Sequence, residues 1–340
     1  MTSEVFKALR GTVKPAEHVA TQPLAPIMLE YLDLFAEGAG HTARAKRLDI
    51  DRFLEFLKRY RKVSEIEHLT VGDWDFSACQ HFVDELLKAE APATVARRLA
   101  TLKHMGRVLA ERWPGFINPV RDVRAPKIQN ARPQSLDAEE IDRIKELATS
   151  KRTRKGDFVS YRNEILFYFL LDTGLRADEV RTLKRAQVDD KLEWIRGVKT
   201  KGRRFRDAYI SSAIRDHLTE YLKARAVQLE RFFPKLTPSV DGKLPVFIST
   251  HGAQADNPDS FLMGAKSVWR AIRSYSVETK LHPHLLRHTF AVELLDDSKD
   301  IRLVAQALGH SDVRITMRYT ERGKEEVAKA LERARRNRDS

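Results

Sequence analysis

A proline-rich stretch one third of the way along the chain limits the fold more than any other feature of this sequence. Residues 113–133 read WPGFINPVRDVRAPKIQNARP, with four prolines and no apolar stripe at helical spacing. Proline fixes φ and removes a backbone donor, so neither a long helix nor a central strand can run through this segment. The chain therefore divides into two units, and we predict an interdomain linker at residues 126–134.

The unit before the linker has the apolar spacing of a helical bundle. Apolar residues recur three or four positions apart from about 24 to 35, 48 to 60, 77 to 88 and 92 to 113. This is the period of amphipathic helices, and it predicts a helical domain over residues 23–125. Residues 1–22 lack this periodicity, and we predict a flexible leader there.

The unit after the linker mixes helices with a small amount of strand. Asp137 and Glu140 stand three residues apart before an apolar pattern, which predicts a helix start with a capping box. Alternating apolar residues flank the turn segment KTKGRR and predict a β-hairpin between Leu192–Val198 and Phe205–Ile210. A further strand is predicted at Val246–Ile248. The expected fold class is mainly α, with a small β component confined to a mixed α/β second domain.

Charge and cysteine content narrow the classes of function. The chain has 61 Lys and Arg against 48 Asp and Glu, a net charge of +13, which favours an anionic partner such as nucleic acid. The single cysteine, Cys79, excludes an intramolecular disulfide and a zinc site of several cysteines, and we interpret it as a core residue of a protein from a reducing cytosol. The longest apolar run, Ile165–Leu171, is far shorter than the roughly 18 residues of a membrane span.

Four separated motifs in the second unit carry candidate chemistry. They are TGLRADEVRTL with Arg176 and Glu179, the hairpin turn with Lys199, Lys201, Arg203 and Arg204, HPHLLRHTF with His284 and Arg287, and LGHSDVRITMRYT with His310 and Tyr319. His284 and Arg287 are three residues apart, which predicts that they face the same side of a helix. Arginine forks suit phosphate oxygens, and tyrosine, histidine and lysine can serve as nucleophile, hydrogen-bond donor and acid.

In this order, the motifs resemble those of the tyrosine recombinase, or phage integrase, family. The resemblance covers residues 135–320 as catalytic domain, and the preceding bundle is similar to the family's SAM-like core-binding domain. The two-domain organisation resembles the simple type seen in Cre and the Xer proteins. The resemblance implies that Tyr319 attacks DNA to form a 3′-phosphotyrosyl link, that Arg176, His284, Arg287 and His310 stabilise the phosphate, that Lys201 protonates the leaving 5′ oxygen, and that Glu179 orients Arg176.

The resemblance also implies partners and the absence of cofactors. Neither a metal nor ATP is expected, since the covalent link conserves the phosphodiester energy. The expected partner is double-stranded DNA with specific recombination sites, gripped by both domains, with the protein monomeric when free and tetrameric in the synaptic complex. We expect residues 321–340 to form a terminal helix that docks in a neighbouring protomer, and the protein to act in the prokaryotic cytoplasm or nucleoid, without membrane association.

Basic side chains outside the apolar stripes are the candidate DNA contacts. In the first unit they are Arg97, Arg98 and Lys103, and in the hairpin turn Lys199, Arg203 and Arg204. Periodicity alone does not choose between Lys199 and Lys201 as the acid, because alternation along a strand aims both the same way.

Three alternatives stay open from the sequence. The same chemistry would support a type IB topoisomerase-like relaxation of DNA, and the same fold would support an architectural DNA-binding protein without catalysis. His282, His284 and His288 raise a metal site, although no carboxylate stands between them as in HExxH and no cysteine is near. We expect His288 to cap or to pack instead.

Overall fold

The computed structural model describes residues 17–38, 40–128, 135–200, 205–310 and 314–317. Two compact units divide the chain, Met1–Asn130 and Ala131–Ser340, and each has its own apolar core. The division falls inside the predicted linker, of which residues 129–134 lie outside the described part. In the described ranges no helix is both long and apolar enough to cross a membrane.

The N-terminal unit is a helical bundle closed around aromatic and aliphatic side chains. Its helices are α1 Glu17–Ala20, α2 Leu24–Phe35, α3 His41–Arg61, α4 Phe76–Leu87 and α5 Pro92–Arg112, with 3₁₀ turns at Ile66–His68 and Val71–Asp73. Val19 is buried in this core, so the described end of the predicted leader belongs to the bundle. Cys79 is buried as predicted, and burial raises the pKa of its thiol.

The C-terminal unit is built around one largely apolar helix that is buried on nearly every side. Its helices are α6 Ala138–Lys155, α7 Phe158–Thr173, α8 Ala177–Arg181, α9 Ser212–Leu229, α10 Pro238–Lys243, α11 Ala265–Arg273, α12 Pro283–Ser298, α13 Ile301–Leu308 and α14 Arg314–Met317, with 3₁₀ turns at Arg185–Gln187 and Pro258–Phe261. A helix whose apolar residues are spread around its circumference must be covered on every side. Accordingly, α7 packs against α6, α9, α11 and α12.

One antiparallel hairpin supplies the sheet, with β1 at Trp194–Lys199 and β2 at Phe205–Tyr209. Gly197, at φ +63°, lies where the register shifts between Ile195 and Val198, a position that suits a glycine bulge. The predicted hairpin and the mainly α fold class are thus confirmed. The strand predicted at Val246–Ile248 is wrong, because Pro245 and Ile248 make only isolated bridges to two separate segments.

Candidate active site

The end of α7 sets the first site residue. Gly174 ends this helix in the left-handed region at φ +58°, and a Cβ at this position would lie 2.3 Å from the Phe290 ring. Only glycine fits both constraints. The chain therefore reverses at once, and Arg176 becomes the N-cap residue of the short helix α8.

Glu179 gathers three guanidinium groups from distant parts of the chain. Arg176 donates to it twice, from its backbone N–H at 2.9 Å and from Nη1 at 2.7 Å. Nη2 of Arg206 lies 3.2 Å from Oε2, and Nη1 of Arg287 lies 3.7 Å from the same oxygen. The predicted orienting contact between Glu179 and Arg176 is therefore present, within a larger cluster.

The electrostatics of this cluster favour an anion. Burial alone would raise the pKa of Glu179, but the backbone hydrogen bond from Arg176 and the charges of Arg206 and Arg176 outweigh it and hold this pKa below the ordinary value. A single ionised carboxylate then faces three guanidinium groups, so the cluster keeps a net positive charge. Phosphate oxygens are the anion that such planar forks match best.

Arg287 is buried at the centre of the cluster. Its side chain is 2% exposed and donates to the carbonyl oxygens of Gly174 and Leu308, each at 2.7 Å. These carbonyls stand at the C-terminal ends of α7 and α13, which carry partial negative charge. His284 and Arg287 both lie on α12, three residues apart, with His284 exposed and Arg287 enclosed by both helix ends; that they face the same side stays a prediction.

His310 follows the left-handed cap of α13. Gly309, at φ +65°, ends this helix, and the N–H of His310 returns to the carbonyl of Ala305 at 2.9 Å. Its Nε2 lies 3.3 Å from Nη2 of Arg287, and its Nδ1 lies 2.9 Å from Oγ1 of Thr316. A guanidinium group can only donate, so Nε2 accepts in this contact and Nδ1–H donates to Thr316.

The three histidines of the HPHLLRHTF motif make different contacts. Nδ1 of His282 accepts from the N–H of Leu285 at 3.0 Å as the N-cap of α12, and its ring stacks on Trp269. The rings of His284 and His288 pack edge to face with centroids 4.2 Å apart, so His288 packs as predicted. Among the described residues, no group of three or more His, Cys, Asp or Glu side chains could hold a metal ion.

The hairpin turn and the nucleophile segment are described only at their borders. Lys199 ends β1 with an exposed side chain, and Lys201, Arg203 and Arg204 lie outside the described residues. Tyr319 and the predicted terminal helix at 321–340 also lie outside them. The described helix α14 ends two residues before Tyr319, and its Thr316 is fully buried against His310.

The candidate DNA contacts of the first unit include two arginines held by internal carboxylates. Nη1 and Nη2 of Arg97 contact the buried Asp49 at 2.5 and 2.8 Å, and Arg98 bridges Asp49 and Glu90 at 2.9 and 2.8 Å. Lys103 donates to a backbone carbonyl at 3.4 Å and is half-buried. The sequence did not show this internal role, because Asp49 lies in another helix.

Sequence reasoning also missed Arg206 and Thr316. Arg206 is a charged residue at an inward position of β2, where alternation calls for an apolar side chain, and that mismatch was the available signal. Thr316 gave no comparable signal, because its contact with His310 depends on how the chain turns after α13.

The comparisons with known proteins cover nearly the whole chain. Residues 134–326 match the phage integrase family, and residues 29–112 match the phage integrase N-terminal SAM-like domain. The tyrosine recombinase XerC of Thermodesulfovibrio yellowstonii is 28% identical over 296 residues, which are 86% of this chain and 89% of that protein. XerC of Stutzerimonas stutzeri is 28% identical over 312 residues, 90% and 93% of the two chains.

Solved structures share the fold. The Tn1549 transposon integrase in complex with circular intermediate DNA has a TM-score of 0.66 at 17% identity, over 92% of this chain and 99% of that one. The XerH site-specific recombinase bound to palindromic difH has a TM-score of 0.65 at 19% identity, over 85% and 78%.

Proposed function

The chain belongs to the phage integrase family of tyrosine recombinases, and we propose that it cuts, exchanges and reseals duplex DNA at specific sites through Tyr319. The expected family and the expected enzyme class, a DNA strand-breaking and rejoining recombinase, are those of its relatives. One observation carries the proposal: Arg176 and Arg287, distant in sequence, meet at Glu179, and His310 contacts Arg287.

The cluster can bind the scissile phosphate without a metal. Arg176 keeps a third of its side chain exposed and offers its remaining N–H groups to non-bridging oxygens, while Arg287 adds buried positive charge behind it. Preorganised donors aimed at a phosphorane stabilise it more than water does. His284, exposed at the start of α12, is proposed as a further hydrogen-bond donor to the same phosphate.

In the proposed reaction, the phenolic oxygen of Tyr319 releases its proton to solvent and forms a bond to phosphorus as the bond to the 5′ oxygen breaks. The product is a 3′-phosphotyrosyl link and a 5′ hydroxyl, which receives its proton from Lys201. The reverse attack by a 5′ hydroxyl of a second strand reseals the DNA and releases Tyr319. No ATP is consumed, because one phosphoester replaces another at each step.

The family resemblance favours Lys201 over Lys199 as the acid, since strict alternation along the strand would aim both lysines the same way. Lys199 pairs with Phe205, whose side chain is 68% exposed, and therefore lies on the outer face. Arg206 lies on the opposite face and contacts Glu179. Lys199 thus points away from the cluster, which suits a phosphate contact along the DNA backbone.

Duplex DNA is the proposed partner, with four protomers on two sites. The net charge of +13 supports a polyanionic partner, and the solved relatives include recombinases bound to their DNA substrates. The terminal helix at 321–340 is proposed to dock in the neighbouring protomer, and the cytoplasm or nucleoid is the proposed location.

Tyr319→Phe tests the nucleophile, because only the phenolic oxygen is lost. Footprinting on DNA flanking the gene defines the site, and a nicked suicide substrate then traps the covalent product on a denaturing gel. We expect the variant to bind DNA with unchanged affinity and to form no adduct. An adduct on the Phe variant would refute this role.

A supercoiled plasmid separates recombination from the topoisomerase-like alternative. Exchange products that require two paired sites support recombination. Relaxation of a plasmid without any site, at a comparable rate, would favour a type IB relaxing enzyme, and binding without cleavage would favour an architectural protein.

A further inference from the structure

Arg206, on the inner face of β2, links the hairpin to the phosphate-binding cluster. Its side chain is only 7% exposed, which is unusual for an arginine. We propose that Arg206 is a positioning residue that locks the β1–β2 hairpin, and with it the turn that carries Lys201, against Glu179 and the end of α13. This inference rests on the proposed function of Lys201.

The guanidinium group of Arg206 joins two elements that belong to different motifs. Nη2 donates to Oε2 of Glu179 at 3.2 Å, and Nη1 donates to the carbonyl of Ala307 in α13. Glu179 also holds Arg176, and α13 leads directly into His310. The hairpin is therefore fixed to the same carboxylate that orients the phosphate-binding arginine.

The stem of Arg206 packs closely as well. A Cβ at Gly309 would lie 2.5 Å from Cδ of Arg206 and 3.2 Å from Cγ2 of Thr200. The inner face of the hairpin thus lies directly on the glycine that precedes His310. A larger residue at this glycine would push the hairpin away from the cluster.

The register of the hairpin connects the position of Arg206 to the turn. Arg206 stands opposite Val198, and Thr200, two residues further along, is also buried. Lys201 is the next residue in the chain, so the anchored face ends directly before the proposed acid. Misplacing a reacting group by about 1 Å can cost a factor of about 10² in rate.

The burial of Arg206 argues against a direct contact with DNA. Burial lowers the pKa of its guanidinium group, while the charge and hydrogen bond of Glu179 oppose this shift. A lysine at this position would keep the charge but lacks the planar fork needed to reach Glu179 and Ala307 together. The role is therefore one of geometry, which a substitution can separate from charge.

A substrate with sulfur in place of the bridging 5′ oxygen tests this role, because a thiolate leaves without a proton. We expect Arg206→Ala to cleave normal DNA about 10²-fold more slowly than the native protein does. On the sulfur substrate, its cleavage rate should lie within a few-fold of the native rate. Lys201→Ala should show the same restoration. DNA affinity should change by no more than about twofold. Arg206→Lys should show the same pattern with a smaller loss, and it gives the same comparison if the alanine variant does not fold.

Arg196→Ala is the matched control, since Arg196 lies on the same hairpin with its side chain 58% exposed and pairs with Asp207. It should cleave both substrates at native rates. One outcome would overturn the inference: the sulfur substrate restores the cleavage rate of Lys201→Ala, but Arg206→Ala and Arg206→Lys cleave both substrates equally slowly. Arg206 would then not position the acid, while the function of Lys201 would stand. If sulfur restores neither Lys201→Ala nor the Arg206 variants, the acid assignment fails and this inference fails with it.

Discussion

At the scale of single residues, Glu179 decides the character of the site. A side chain of this kind, 5% exposed and surrounded by three guanidinium groups, must be ionised for the cluster to hold together. Removing one partner of a buried ion pair costs about 3–5 kcal/mol, because the remaining charges stay buried without compensation. Glu179 therefore supports both the fold of the site and the orientation of its arginines.

Glu179→Gln should destabilise the protein by about 3 kcal/mol at neutral pH, as judged by urea unfolding. The folded-state pKa of Glu179 lies below its ordinary value. Its contribution is therefore complete above the unfolded pKa of about 4.3 and is lost as pH falls through the folded pKa. The stability gap between native protein and variant should thus narrow below about pH 4.

Glu220→Gln is the control for this prediction, because Glu220 forms an exposed i,i+3 pair with Lys223. Exposed pairs contribute about 1 kcal/mol or less, so this variant should stay close to the native protein. A Glu179→Gln variant as stable as the Glu220→Gln variant would show that the three arginines do not depend on this carboxylate.

At the scale of secondary-structure elements, helix ends carry the site. The left-handed caps at Gly174 and Gly309 turn the chain at the ends of α7 and α13, and the carbonyls beside them accept from Arg287. Site geometry therefore depends on where these two helices stop.

Gly174→Ala should destabilise the protein more than Gly156→Ala, although both glycines end helices at similar positive φ values of +58° and +64°. The left-handed region costs an alanine about 1–2 kcal/mol at either position. At Gly174 the added Cβ also lies 2.3 Å from Phe290, whereas nothing lies within 4 Å at Gly156. Urea unfolding of the two variants measures the difference, and equal losses would mean that Phe290 moves aside freely.

The sequence predicts elements better than it predicts contacts. Alternating apolar residues located the hairpin, and helical spacing located α2 to α5, because both patterns are local. The short strand predicted at Val246–Ile248 failed because its apolar run is buried in loop packing instead of a ladder. Arg206 and the Asp49 cluster escaped prediction because long-range pairing decides which charged side chains turn inward.

At the scale of the whole molecule, the main feature is that the two units have separate apolar cores. The described residues of each unit enclose their own apolar cluster, so either unit should keep its fold when the linker is cut. The candidate DNA contacts nevertheless fall in both units, from Lys103 in the first to Lys199 in the second. Affinity for DNA should thus be shared between two independently folded parts.

Salt dependence measures this sharing. Each neutralised phosphate contributes about −0.9 to the slope of log affinity against log salt concentration. We expect a steep slope for the full chain, a clearly shallower slope for residues 131–340 alone, and a slope reduced by about one for Lys103→Gln in the full chain. Fluorescence anisotropy with labelled duplex DNA between 50 and 200 mM salt, a range in which such contacts change affinity by orders of magnitude, measures all three. An identical slope for the full chain and the 131–340 fragment would mean that the N-terminal bundle makes no phosphate contacts, and Lys103 would then have to serve the fold alone.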